Sequence, residues 1–443
     1  MWVLTTFFAL STLTVIWLCA AYFVVLRFVS FLKPRRTAPA PDVWPRLSVV
    51  VPCYNESEMI LGKLQNLLAI DYPIEKLEIV FVDGGSTDGT YDLLVSAVPA
   101  EGPVRVVRSP RKGKIHQLNH ALSMLDGDII VVSDVDGDME RDTLRHLVAE
   151  FALDGRVAVV GAYNRASGAI WRDRCFWDSQ NRGRLIESDA WSSSIVIATC
   201  YAFKHGLFDR YPDDAVADDV YVGFLANSLG HRVVYSRQAM VNERRAPSGI
   251  SEFLSHKFRK NNAFLRESLR FLYRLPEMTG ACKMMMLTRI AQQLLLPCTL
   301  SIWSLLALTL LTLGRLDLFI MSAAFVALSL MIARQAFQSV DVPDVSRERF
   351  GLLKYGTVFF ETMCVLFAAA LSYAFYRQDS CYSRLGTASS SGDDDPSEAA
   401  STPLEVRSAP RRPLMPAVTG LSPKQATVRG LEELTAGTLR PST

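Results

Sequence analysis

The chain has 443 residues, 49% of them hydrophobic, and a formal net charge of +2. So weak a charge gives no whole-chain case for nucleic-acid binding, and the 8 scattered cysteines, with no C-x-x-C pair, describe neither a disulfide framework nor a zinc site. The hydrophobic excess is gathered into a few long runs, which points to a membrane.

Residues 2–29 carry no charge before Arg27 and lack the basic leader of a signal peptide, so residues 1–30 read as an uncleaved membrane anchor. Lys33, Arg35 and Arg36 follow at once, and the positive-inside rule then puts the next domain in the cytoplasm. Pro34, Pro39, Pro41 and Pro45 make residues 31–45 a linker. Residues 47–51 read as a buried strand stopped by Pro52, with Asn55 or Ser57 capping a helix through Leu68. A second strand, 77–82, runs into Asp83-Gly84-Gly85-Ser86, and a helix follows to about Val98. Residues 104–107 give a third strand, and Gly113-Lys114 opens a helix that ends near Leu125. Residues 129–132 are apolar and β-branched, the pattern of a fully buried strand. Strand and helix alternate four times, which argues a parallel α/β sheet with helices on both faces.

That last strand ends in two carboxylates, Asp134 and Asp136. Ligands of open α/β sheets bind off the carboxyl ends of strands, and paired carboxylates there are costly unless something positive joins them. A hard divalent cation with its own phosphates is one answer; an Asp-rich turn through Asp136-Gly137-Asp138 is the other. Residues 157–160 give a further strand. Residues 168–194 are irregular and aromatic, with Trp171, Phe176, Trp177 and Trp191, and read as packing under a long connection rather than as a sugar-stacking surface. Residues 195–203 return to strand character. Ala217-Asp218-Asp219 opens a helix through Leu229 that Gly230 stops, and by spacing alone either Asp is an N-cap. Residues 231–235 close a domain over 46–250.

Residues 252–273 set an apolar stripe, Phe253, Leu254, Phe258 and Leu265, against Lys257, Arg259, Lys260 and Arg266. This basic amphipathic helix suits a membrane interface or a cover on the soluble domain, and residues 251–292 are assigned to it. Residues 294–313, 318–333 and 352–376 place three membrane helices in 293–376, and Glu361 within the last should face protein or a polar path. Arg334, Arg347, Arg349 and Lys354 between the last two spans again favour a cytoplasmic catalytic side. Residues 377–443 have the composition of a disordered tail.

Four motifs in order carry a resemblance. Ser48-Val49-Val50-Val51-Pro52-Cys53-Tyr54-Asn55-Glu56, Val82-Asp83-Gly84-Gly85-Ser86-Thr87-Asp88-Gly89, Gly113-Lys114 with Asn119, and Asp134-Val135-Asp136 resemble family 2 glycosyltransferases of the GT-A fold. The membrane layout is similar to that of polysaccharide synthases of the hyaluronan, chitin, cellulose and poly-N-acetylglucosamine type. The resemblance implies a mixed, mostly parallel α/β sheet with flanking helices, joined here to transmembrane α-helices. It implies a UDP-sugar site built from Pro52, Tyr54, Asn55, Glu56, Asp83, Ser86, Lys114, Asn119 and Asp134, with Asp83 at the uridine base and Lys114 by the diphosphate. Asp134 and Asp136 would hold Mg²⁺ or Mn²⁺. Gly84 stands where the family often has a second Asp. Family members carry an acidic pair after the acceptor loop whose second carboxylate is the general base; the match falls on Asp219, with Asp218 beside it. Where polysaccharide synthases carry Gln-x-x-Arg-Trp on the acceptor side, this chain has His256-Lys257-Phe258-Arg259-Lys260, which keeps the Arg alone. The implied function is inverting, metal-dependent sugar transfer from a UDP-sugar to a growing β-linked polysaccharide by an integral membrane protein whose catalytic domain is cytoplasmic. The implied partners are a glycan or lipid-linked acceptor, membrane lipids and an export or co-synthase subunit. Transfer of one sugar to a lipid-linked acceptor and an inactive partner of another synthase are the competing readings.

Overall fold

The structure, a computed structural model, describes residues 1–33, 41, 43–99, 101–166, 170–343, 348, 350–373 and 375. Most of the linker, Arg347, Arg349 and the tail from 376 onward lie outside these residues. An N-terminal helix, α1 (Trp2–Phe31), leads into one sheet of eight strands. These are β1 (Leu47–Cys53), β2 (Leu77–Asp83), β3 (Val104–Arg108), β4 (Ile129–Ser133), β5 (Gly137–Met139), β6 (Val157–Arg165), β7 (Cys200–Lys204) and β8 (Arg232–Glu243). Their order is β3-β2-β1-β4-β7-β6-β8-β5. The first four in that order pair parallel, as do β6 and β8; β7 is antiparallel to β4 and to β6, and β5 to β8. The sheet is thus mixed and mostly parallel, as the resemblance implies.

Both faces are covered, which is why the central strands are apolar throughout. Val49, Val51, Phe81 and Val131 pack with Leu64 of α2 (Ile60–Leu68), Leu94 of α3 (Thr90–Ala97) and neighbours on the opposite end of that face. Val50, Val80, Ile130 and Val132 pack against Ile115 and Leu118 of α4 (Lys114–Leu122). All five residues of β4 are buried. Each such side chain contributes ~1.5–3 kcal/mol, so the strand-end carboxylates stand on the stiffest part of the domain.

Four local expectations are corrected. Pro52 does not stop β1: the β1·β4 ladder ends at Val50, and Pro52 pairs only toward β2, an edge-like place that a proline tolerates. Asn55 and Ser57 do not cap α2, whose N-cap is Met59. The stretch read as irregular is mostly helix: beyond α5 (Thr143–Leu153) and β6, residues 171–190 form α6 (Trp171–Ala190), 20 residues long. Apolar periodicity missed α6 because much of what it buries is charged. Asp173 pairs with Lys257 at 2.7 Å, Asp178 with Arg182 at 2.8 Å and Glu187 with Arg289 at 2.8 Å. Its Phe176 meets Phe253 edge-on at 6.3 Å, the packing role expected of these aromatics. After β7, α7 (Asp218–Ser228) has Ala217 as its N-cap, so both aspartates lie in its first turn rather than at the cap. The basic amphipathic helix is α8 (Ile250–Arg270).

With α1, the helices α9 (Gly280–Thr312), α10 (Leu316–Gln338) and α11 (Leu352–Ser372) are long and apolar enough to cross a membrane. Residues 280–292, read with the interface segment, are the first turns of α9. A π-helical turn at Trp17–Ala21 interrupts α1, and the Leu18 carbonyl there accepts Gln292 Nε2 at 2.8 Å. Thr12, Ser322 and the Trp303 indole N–H share hydrogen bonds of 2.9–3.1 Å between α1, α9 and α10. Glu361 does face protein: Arg172 of α6 lies 2.8 Å from its carboxylate. Arg172→Met should therefore strand a carboxylate within a membrane helix, at a cost on the order of 3 kcal/mol. Arg172→Met/Glu361→Met should recover most of that loss, and thermal unfolding of the detergent-solubilised variants measures both.

Candidate active site

The residues singled out by motif come from separate elements and meet at the carboxyl end of β4. The Lys114 ammonium, on the first turn of α4, lies 2.8 Å from Asp134 Oδ1 and 3.0 Å from Asp218 Oδ1. One cation thus joins the D-x-D pair to the acidic pair of α7. Asp218 is buried and held from behind: Tyr201 Oη donates to its Oδ2 at 2.7 Å, and Tyr201 and Tyr211 share a 2.9 Å hydrogen bond. Asn119 exchanges both amide atoms with the Tyr211 backbone, 2.8 and 2.9 Å, so it braces this loop from the second tier. Asp219 stands beside Asp218 with its Oδ2 accepting the Ala198 N–H at 3.1 Å.

The loops after β1 and β2 are stitched into one wall. Asn55 adopts a left-handed φ of 54° and accepts Thr87 N–H at 2.7 Å, while its own N–H reaches Ser86 Oγ at 2.8 Å. Glu56 N–H donates to Thr90 Oγ1 at 2.6 Å. Asp83, fully buried, accepts the Gly85 and Ser86 N–H groups at 3.0 and 3.2 Å. Pro52 lies within β1 beneath them, one residue before its end, and Tyr54 is exposed at the wall's tip. A Cβ at Gly84 would lie 2.0 Å from Gln117 Nε2, which donates to the Cys53 carbonyl at 2.9 Å. The Gln117 amide of α4 fills the space that a second aspartate would need.

Burial, partly offset by Lys114 and reinforced by Asp136 and Asp218, raises the Asp134 carboxyl to about 6. Burial and Glu243 raise Asp136, against Arg245 and Lys260. Burial and Asp218 raise Asp219 to about 6, against Lys114 and Lys260. Carboxylates strained in this way gain from a divalent cation. Among the described residues no three His, Cys, Asp or Glu side chains form a metal cage. Two carboxylates that leave the remaining positions to phosphate oxygens fit Mg²⁺ or Mn²⁺, which bind in that manner. Asp134 and Asp136 are the residues that would hold it.

On the far side, Lys260 of α8 lies over the Trp177 ring at 4.8 Å, and its charge reaches Asp136, Asp219 and Glu243. His256 is buried, and burial with Lys260, Lys257 and Arg259 drives its pKa far down, so the imidazole is neutral. Arg259 lies on the same helix.

Four site residues escaped the sequence reading. Glu243, at the end of β8, accepts Asn164 Nδ2 at 2.8 Å beside Asp136. Arg245 clasps Glu56 through both guanidinium Nη atoms, and its field reaches Asp136 and Asp134. Trp177 was seen as packing only. Lys63 is fully buried under the D-x-D loop, its ammonium donating to Ser133 Oγ at 2.7 Å and to the Gly137 carbonyl. Burial lowers its pKa to about 8, against the pull of the neighbouring aspartates. Its signal was present: with Ile60, Leu64 and Leu67 it occupies the buried stripe of α2, where a lysine is out of place.

A parallel half-sheet with its loops gathered at the carboxyl ends of the strands and a D-x-D pair at the end of its central strand is the arrangement of the GT-A class of fold. Residues 48–212 match the family model for glycosyl transferase family 2. It is 22% identical over 237 residues to a poly-beta-1,6-N-acetyl-D-glucosamine synthase of Staphylococcus aureus, covering 52% of this chain and 57% of the relative. It is 27% identical over 267 residues to the probable glycosyltransferase YdaM of Bacillus subtilis, covering 54% of this chain and 61% of that protein. The matches therefore span under two thirds of either relative's length. The mannosyltransferase PcManGT of Pyrobaculum calidifontis, solved with GDP-Man and Mn²⁺, shares the fold at a TM-score of 0.65 and 24% identity, covering 84% of this chain and 99% of its own.

Lys63 yields a prediction of its own. Lys63→Met keeps the side chain's length and removes two buried hydrogen bonds from the D-x-D loop, each a charge-assisted bond worth ~1.5–3 kcal/mol. The expected result is a lower unfolding temperature together with weaker Mn²⁺ binding by titration calorimetry. Unchanged Mn²⁺ affinity would mean that the loop holds its shape without Lys63.

Proposed function

We propose that this protein is an inverting, metal-dependent glycosyltransferase whose catalytic domain lies on the cytoplasmic side of a membrane and whose donor is a UDP-sugar. The observation that carries this reading is the Lys114 bridge, which brings Asp134, the diphosphate-side cation and the Asp218–Asp219 pair into one cleft. The family 2 match over 48–212 supports it. The two enzyme readings differ in acceptor. A growing β-linked polysaccharide accords with the S. aureus relative's name and with the four apolar helices. A lipid-linked acceptor that receives one sugar accords with Lys260, which covers Trp177 with a cation and offers a point charge suited to a phosphate. An inactive partner does not accord with a complete set of Asp83, Asp134, Asp136 and Asp219 held in order.

The diphosphate gains charge as the anomeric C–O bond breaks, and Lys114 stands where its ammonium stabilises that charge. A metal bound at Asp134 and Asp136 would supply further Lewis-acid stabilisation of the same leaving group. The acceptor hydroxyl attacks the anomeric carbon from the opposite face, and Asp219 takes its proton as the new bond forms. A single displacement inverts the anomeric centre. The neighbouring charge of Asp218 keeps Asp219 basic enough to do this near neutrality, while Lys114 and Lys260 keep it ionised.

Purified protein supplied in turn with UDP-glucose, UDP-N-acetylglucosamine and GDP-mannose, with product sizing, tests the proposal. Asp219→Asn should keep nucleotide binding and lose transfer by roughly two to four orders of magnitude. Asp136→Ala should abolish transfer and weaken nucleotide binding only when Mg²⁺ or Mn²⁺ is present. Transfer that persists in excess chelator would overturn the metal requirement.

The pH profile offers a separate check. Because the Asp219 carboxyl is raised to about 6, it is protonated and idle in mild acid, so the rate should climb as pH rises through about 6. Lys260→Met removes a charge that lowers this value, so the acid limb should move to higher pH. A limb at the ordinary aspartate pKa would show that another group sets the rate.

A further inference from the structure

A cavity of about 640 Å³ opens at the end of the sheet opposite the D-x-D pair, where Val157 and Arg232 begin β6 and β8. Its other wall is the end of α1, Arg27, Ser30 and Lys33, with Asp341 to Pro343 just past α10. The cavity therefore lies at the ends of two helices long and apolar enough to cross a membrane, at the opposite end of the sheet from the D-x-D pair.

Its charge is unevenly placed. On one wall Arg237 pairs with Asp189. On the other, three cations surround a single indole: Lys33 lies 5.3 Å and Arg156 5.8 Å from the Trp191 ring, and Arg232 donates to the Trp191 carbonyl at 2.8 Å. Arg156 and Arg232 share one carboxylate, Asp154, each at 3.0 Å. Among the described residues Lys33 has no carboxylate partner; its ammonium donates to the Ala190 carbonyl. Burial and the charges of Arg232 and Arg156 lower its pKa, which places the three cations within each other's fields. Around this indole three cations face one carboxylate, Asp154, and over the whole lining the five Lys and Arg side chains outnumber the four Asp and Glu by one. Lys33 and Arg156 are exposed, so an anion can reach it.

We propose that this basin binds the phosphodiester head group of an anionic lipid from the adjoining leaflet. A phosphate supplies the missing charge. A tryptophan beside cations at the membrane boundary is the usual arrangement for contact with head groups. The position at the exits of α1 and α10 favours a lipid over a phosphate free in solution. The site would hold the GT-A domain at a fixed height on the membrane through its non-catalytic end.

The test uses the full chain in nanodiscs of phosphatidylcholine with or without phosphatidylglycerol, and native mass spectrometry of the lipids retained. Wild type should retain phosphatidylglycerol preferentially. Lys33→Gln/Arg156→Gln should weaken that preference by ~30-fold at low salt, about fivefold per cation, as basic residues at an anionic surface do. The charge-matched Arg141→Gln/Arg145→Gln, whose side chains do not line the basin, should retain it. Both substituted side chains of the test variant are exposed, and equal unfolding temperatures in pure phosphatidylcholine would confirm an intact fold; the single variants serve if the double one is unstable. No lipid preference in wild type, or an equal preference in the variant, overturns the proposal. Binding of inorganic phosphate without lipid preference reassigns the basin to a soluble phosphate and overturns the lipid assignment.

Discussion

The dominant constraint on this structure is the crowding of carboxylates at one end of one sheet. Asp134, Asp136, Asp218, Asp219, Glu243 and Glu56 all converge there, and burial raises the carboxyls of Asp134, Asp136, Asp219 and Glu243. The fold answers with cations delivered from four different elements. Lys114 comes from the start of α4, Lys63 from the underside of α2, Arg245 from beyond β8 and Lys260 from α8. Remove any one and the remaining charges are left short. The site is therefore a property of the assembled domain rather than of its D-x-D motif.

Much of this was legible in the sequence, for a physical reason. The central strands are buried on both faces, so their apolar runs stand out against polar loops, and β1, β2, β3 and β4 appear within a residue or two of the expected bounds. Asp134 and Asp136 stood out at the end of a buried strand, where a sheet of this kind binds ligands, whereas Asp83, Lys114 and Asp219 were assigned roles by the resemblance to family 2 glycosyltransferases. What escaped was buried polarity. A helix such as α6, which hides Asp173, Asp178, Arg182 and Glu187, has no apolar stripe to betray it. Lys63 and Glu243 were missed for the same reason: their partners are distant in sequence, and only the folded chain shows that they are paired.

The Gly84–Gln117 contact shows how a missing motif residue is absorbed. The space is not empty; the Gln117 amide occupies it and ties α4 to the Cys53 carbonyl between β1 and β2. The departure from the family pattern is thus a replacement of a carboxylate by a neutral group. It trims the negative charge beside Asp83 in a cleft that already carries more than it can easily hold.

The position of α6 bears on how the protein is made. Glu187 is buried against Tyr22 of α1, which is synthesised first, and Arg289 of α9, which is synthesised long afterwards. Arg172 waits in the same way for Glu361. A ribosome that has just released the catalytic domain has therefore released a domain with open charges in its interior. Completion of that domain is coupled to the placement of the later helices, and a failed insertion would leave Glu187 without Arg289 and Arg172 without Glu361. Membrane integration acts here as the last step in folding the soluble half.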